Sequence, residues 1–240
     1  MKLNAFLLLL VFGLAYGQVE TVSGSLEITA SCKVKGMPFS ADLIQNDDLR
    51  LPDGKELHYE TQAKMYRDSE GRTRTDQHAI VHGKDRIDPS IIIDALQQTI
   101  IQIDHNSKTA TIFHGTQPPA PPESAQSQVK PSYVPLRFPG ESLGTMTLEG
   151  FAVSGKRYTQ REEPPDRHEW WFTDDLGGLV LLVKHEFQQG GIVVADRVLT
   201  ARLTNIRKGE PDSALFQIPV GYTVNDGGIY PRFLKHKNGK

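Results

Sequence analysis

The sequence predicts a mainly β protein made of successive antiparallel strands. Three observations carry this expectation. Short segments alternate apolar and polar residues at period two, clusters of Gly, Asp, Asn and Pro separate them at hairpin spacing, and no sustained 3.6-residue apolar stripe follows the N-terminal segment. In SLEITASCKV, residues 25–34, Leu26, Ile28, Ala30 and Cys32 fall on one side and Glu27, Thr29, Ser31 and Lys33 on the other. PFSADLIQND and KELHYETQAKMYRD come next, divided by LPDGK, whose Pro52, Asp53 and Gly54 are turn formers in order.

MYRDSEGRTRTD, residues 65–76, reads as the end of one strand, a turn with Gly71 where positive φ is needed, and the start of a returning strand. Arg72 and Arg74 are two apart and are expected on one solvated face, within reach of Asp68 or Glu60. The runs Ile91 to Ile93 and Ile100 to Ile103, broken at DALQQ and ending at DHNSK, predict short β-branched strands. Residues 117–135 hold six prolines and few large apolar side chains, which predicts a long mobile loop between two runs of strands. The second run is SLGTMTLEGFAVSGKRYTQRE, HEWWFTDDLGG, LVLLVKHEF and VVADRVLTARLTNIRKG, with TDDLGG and QQGG as hairpin turns. PDSALFQIPVGYTV then closes the domain, with Phe216 and Tyr222 packed back on the sheet. The five apolar positions from Leu179 to Val183 require cover on both faces of their strand.

The first 17 residues have the form of a secretory signal: Lys2, an apolar run from Ala5 to Tyr16, and small residues at Ala15 and Gly17. That run is too short for a bilayer core of ~30 Å. The expected product is therefore an exported protein, periplasmic or extracellular, with no transmembrane segment: a single antiparallel β domain over residues 18–230 and a basic disordered tail over residues 231–240. The chain has 240 residues, 27 Lys and Arg, 29 Asp and Glu, and a formal net charge of −2, which becomes −3 once Lys2 leaves with the leader. This balance is unlike that of a nucleic-acid binder, so no nucleic-acid partner is expected. Cys32 is the one cysteine, which precludes an internal disulfide; it is expected as a buried thiol.

Chemical motifs are scarce. His168-Glu169 and His185-Glu186 lack the second His four residues on that a zinc-protease helix requires; Phe172 and Gln189 stand there. There is no G-x-S-x-G, no G-x-x-x-x-G-K-[ST], no G-x-G-x-x-G and no C-x-x-C. His78 and His82 on a strand would lie ~13 Å apart, too far for one metal. The pairs Glu162-Glu163 and Asp174-Asp175 sit in turn-like contexts and read as solvated acids. No cofactor, metal site or catalytic group is expected unless distant His and acidic residues converge. The remaining signal is apolar: Trp170, Trp171 and Phe172 are consecutive, so a strand sends aromatics to both faces.

LGTMTLEGFAVSGKRY, EWWFTDDLGGLVLLV and RLTNIRKGEPDSALFQIPVGYTV together resemble the second half of the open β-barrel superfamily that includes the lipoprotein carrier LolA and RseB-type sensor-binding domains. MYRDSEGRTR with this ending also resembles a family of secreted bacterial proteins, common in Acidobacteria, with no assigned activity. The resemblance implies a curved antiparallel sheet, an open half-barrel with few short helices, whose concave side holds acyl chains. The sequence departs from the carrier pattern in lacking amphipathic helices to serve as a lid. The resulting expectation is a non-enzymatic protein binding a lipid or acyl ligand against Trp170, Phe172, Leu181, Val183, Phe151 and Val153. The alternative is a module that binds an envelope protein or plays a structural part, with no small-molecule ligand.

Overall fold

A computed structural model describes residues 34–81, 84–87, 89–94, 96–115, 132–133, 140–161, 166–188 and 196–229. The leader, Cys32, most of the Pro-rich segment, Glu162-Glu163, the QQGG turn and the basic tail lie outside the described residues.

The chain enters through β1 (Val34–Lys35) and β2 (Phe39–Arg50), and turns at LPDGK into β3 (Glu56–Arg67). β4 (Thr73–Val81), β5 (Lys84–Ile87), β6 (Ser90–Asp94), β7 (Thr99–Asp104) and β8 (Thr109–His114) follow. The turns fall where DSEG, DALQQ and DHNSK predict them. β9 (Ser132–Tyr133), from within the Pro-rich span, pairs with β1. The second run is β10 (Glu141–Leu148), β11 (Phe151–Arg161), β12 (Asp166–Thr173), β13 (Leu179–Gln188), β14 (Asp196–Lys208) and β15 (Thr223–Ile229). The only helical pieces among the described residues are the 3₁₀ turns Asp174–Leu176 and Ser213–Phe216.

Thirteen strands form one sheet, in the order β10-β11-β12-β13-β14-β2-β3-β4-β6-β7-β8-β15, with β5 paired to β4 off this path. Every pair is antiparallel except β15 on β8. The path does not close, and the sheet curves. β11 and β14 are three strand spacings apart, ~14 Å in a flat sheet. Yet the Asn205 N–H of β14 donates to Oε2 of Glu149 in the β10–β11 turn at 2.9 Å, and Lys208 Nζ lies 5.1 Å from the centre of the Phe151 ring. Bending brings the hairpin tip back over the sheet.

Two apolar clusters result. The larger joins Phe39, Ala41, Leu43, Met65, Trp170, Val180, Val183, Ala201 and Leu203 with Phe151 and Val153 of the curled hairpin. The smaller joins Ile92, Ile103, Ala110 and Phe216, with Tyr66, Leu215, Ile218 and Tyr222 packed around them. Met65 belongs to the first and Tyr66 to the second, so at β3 the clusters lie on opposite faces. The second is covered by the chain itself. From the end of β14 to the start of β15, residues 209–222 cross from the middle of the sheet to its edge, seven spacings or ~33 Å, laying Phe216 and Tyr222 on β4 to β8. This is the closure that PDSALFQIPVGYTV predicts.

The arginines of the β3–β4 turn hold this cover down, which corrects the expectation of a solvated pair. Arg74 is 7% exposed, donating from Nη1 to the Leu215 carbonyl at 2.5 Å, from Nη2 to Ser90 Oγ at 3.1 Å and from Nε to Asp76 at 2.7 Å. Arg72 stacks on Phe216 at 5.1 Å and donates from Nε to Asp68 at 2.6 Å, whereas Glu60 accepts from Gln62. The reason is topological: the crossover falls on the face these arginines occupy, which local pattern cannot reveal.

Candidate functional site

β12 and β13 are joined by TDDLGG, where Thr173 Oγ1 accepts from the Asp175 N–H at 3.3 Å and Gly177 takes the left-handed conformation at φ 69°. A Cβ at Gly177 would come within 2.6 Å of Val34 Cγ1, so β1 packs directly on this turn. Arg67, 1% exposed, donates from Nη2 to the carbonyls of Leu176 at 2.7 Å and Met37 at 2.9 Å, locking turn and entry segment to the end of β3. Moving away from the turn, Thr173 opposes Leu179 and Phe172 opposes Val180. A one-residue bulge follows, after which Trp171 opposes Leu182, Trp170 opposes Val183, and His168 opposes His185.

The bulge assembles the site. With this register Asp166, His168 and Trp170 share a face with Phe187, His185 and Val183. The two imidazoles stack at 3.7 Å between centroids and 24° between planes. Trp170 continues the stack on His168 at 5.6 Å and 16°, and Phe187 flanks His185 at 4.6 Å. Asp166 Oδ1 lies 2.9 Å from His185 Nε2 and 3.3 Å from His168 Nε2. Both histidines are buried, while Asp166 at the strand end is 19% exposed at its side chain. Beyond Phe187, Arg197 lies over that ring at 5.5 Å and forms a bidentate pair with Asp47 at 2.7 and 2.6 Å. Two histidines and an acid thus converge, the condition that the sequence leaves open. Hairpin pairing joins residues 17 apart in sequence that the helix-spacing test of each HE dipeptide passed over.

All six residues expected to bind ligand belong to the larger cluster or pack against it. Leu181, Val183 and Val153 are 1 to 3% exposed, Phe151 and Trp170 are each 8%, and Phe172 is half-buried. Within β12, Trp170 and Phe172 face one side and Trp171 the other, where it lies against Gly155; a Cβ at Gly155 would stand 2.7 Å from the indole. His78 pairs with Ile87 through the backbone, and His82 is outside the described residues. Asp174 and Asp175 sit in the turn, Asp175 facing Lys208 at 3.6 Å.

A second polar group lies under the crossover. Ser90 Oγ is 2.7 Å from His105 Nε2, His105 Nδ1 is 3.0 Å from the Tyr222 hydroxyl, and Arg74 donates to the same Ser90 oxygen. Ser90 is 2% exposed. The enclosed Ser90 hydroxyl also accepts from an arginine, and the chain of bonds pins Tyr222 beside β6 and β7.

No family model and no curated protein matches this chain. Among solved structures, it is similar to one from the Pseudomonas aeruginosa MucA/MucB complex, with 12% identity and a TM-score of 0.41 over 81% of this chain and 59% of the other. A LolA superfamily protein from Nitrosomonas europaea gives 8% identity and 0.31 over 82% and 98%, and LprF from Mycobacterium bovis 10% and 0.32 over 84% and 100%. The chain thus spans about three fifths of the length of the MucA/MucB relative. These values are too low to transfer a residue role or an activity, and they give the acidobacterial affiliation no support. The open antiparallel class rests on the strand order itself.

Proposed function

We propose that the chain is an exported, non-enzymatic binding protein that holds a lipid or acyl chain against the apolar face of β2, β3 and β12 to β14. The supporting observation is the composition of the larger cluster. Its floor comes from five strands of one open sheet, and its described cover is the curled tip of the β10–β11 hairpin rather than a second layer. A hairpin held there by the Glu149–Asn205 bond and the Lys208–Phe151 contact can be displaced at far lower cost than a packed layer. A ligand entering beneath it would exchange contacts with Phe151 and Val153 for its own.

The test uses the full chain produced by secretion. Organic extraction followed by mass spectrometry is expected to release bound lipid, and a fluorescent fatty acid is expected to change the emission of Trp170 saturably. Absence of both would reject this reading and favour the alternative, a module binding an envelope protein. That alternative draws on the sheet edge: β15 carries Val224 and Ile229 at 54% and 52% exposure, beside the fully exposed Val220, and its outer backbone groups suit an added strand.

A further inference from the structure

We infer that Asp166, His168 and His185 form a binding site for a divalent transition metal, with Zn²⁺ as the representative ion. The three residues offer donor atoms that all lie within 4.8 Å of one another. Bonds of 2.0–2.2 Å to imidazole nitrogen and carboxylate oxygen set neighbouring ligands of a tetrahedral ion ~3.3 Å apart. Asp166 Oδ1 already stands 2.9 and 3.3 Å from the two Nε2 atoms. The two rings, stacked 24° from parallel, turn out of the stack on binding so that both Nε2 lone pairs converge on the ion.

Two neutral imidazoles and one carboxylate suit zinc and its borderline neighbours rather than magnesium or calcium, which take oxygen ligands. The surroundings suit an ion too. Trp170 and Phe187 wall the pair on either side, while the partly exposed Asp166 gives the ion a route from solvent. The three protein ligands leave a fourth position for water or a ligand atom. The cross-strand pairing sets the two histidines directly opposite one another before an ion arrives. The site stands on geometry alone and is independent of whether an acyl chain binds the neighbouring apolar face.

The experiment titrates zinc chloride into the full, chelator-treated chain by calorimetry, alongside copper(II) quenching of tryptophan emission. One zinc ion per chain is expected, with H168Q and H185Q each raising the dissociation constant at least tenfold and D166N raising it by a smaller factor. W171F is expected to bind zinc as the wild type does and to keep most of the copper quenching, because Trp171 points to the other face and Trp170 is the indole beside the site. Binding no tighter than about 100 µM in the wild type, about 5.5 kcal/mol of association, would overturn the assignment. So would wild-type affinity in an H168Q/H185Q double variant that keeps its near-ultraviolet dichroism. D166N retains the shape of the carboxylate and guards against loss of fold: unaltered zinc binding in this variant at an unaltered melting temperature would also count against the site.

Discussion

Asp42 and Lys64 face one another across β2 and β3, and Asp42 accepts a further bond from Asn205 Nδ2 at 2.8 Å. The Lys64 hydrogen bond, then that of Asn205, holds the Asp42 carboxyl below its ordinary value of 3.8 against the opposing effect of burial; the same bond raises Lys64 above 10.5. A carboxyl lowered on folding contributes stability that is present above the unfolded value and is lost as pH falls through the folded one. A lysine raised on folding contributes below its unfolded value and loses this as pH rises through the folded one. The pair therefore supports the fold between about pH 4 and pH 10. D42N is expected to flatten the loss of stability below pH 4 while costing under about 1 kcal/mol at neutral pH, since Lys64 is largely exposed. Urea unfolding at pH 3 and pH 7 measures both; an unchanged acid limb would show that Asp42 does not titrate with folding. Asn205 itself, at φ 52° in the β14 bulge, links this pair to the hairpin tip through its backbone N–H.

At the scale of the element, β11 and β12 are fitted together by an exchange of sizes. Trp171 opposes Gly155 and lies over it, so the indole occupies the space a side chain would fill. G155A places a methyl group 2.7 to 2.8 Å from three ring carbons. The expected cost is about 1–3 kcal/mol in unfolding free energy, with altered tryptophan emission. W171L added to G155A is expected to recover part of it, because the smaller side chain vacates the contact. Equal stabilities of G155A and wild type would mean that the indole shifts freely and that the pairing is loose. The reading of TDDLGG as a hairpin turn and of Leu179 to Val183 as a strand covered on both faces was legible in the residues. The bulge that follows was not, since nothing in Leu181 or Leu182 distinguishes a bulged leucine from a paired one.

At the scale of the whole molecule, the last strand covers β8 and replaces its edge with a shifted one. β15 joins β8 in parallel, after a crossover that also supplies the cover of the smaller cluster. A chain ending at Tyr222 keeps that cover and its bond to His105 but leaves the backbone groups of β8 unpaired on one side. Concentration-dependent association, measured by light scattering, is expected to be stronger for this chain than for one ending at Tyr230, whose edge strand is interrupted by the shift between Asp226 and Gly228. A monodisperse shortened protein with an unchanged melting temperature would indicate that β15 is dispensable.

The longer described strands, the turns between them and the antiparallel class are legible in the residues alone. These depend on period-two burial and on turn residues within a few positions of one another, as in LPDGK, DHNSK and TDDLGG. The sequence also determined that Phe216 and Tyr222 return to the sheet, because an apolar segment after the last long strand has nowhere else to bury. Only the tertiary structure decided where the charged and titratable groups meet. Arg74 reads as solvated until a crossover 141 residues away covers it. His168 would face Lys184, and His185 the other side of the sheet, if the β12–β13 pairing ran on without its single-residue shift. A period of two makes each strand's pattern visible locally, but the same period means that one extra residue exchanges the faces of everything beyond it, and that residue is chosen by packing.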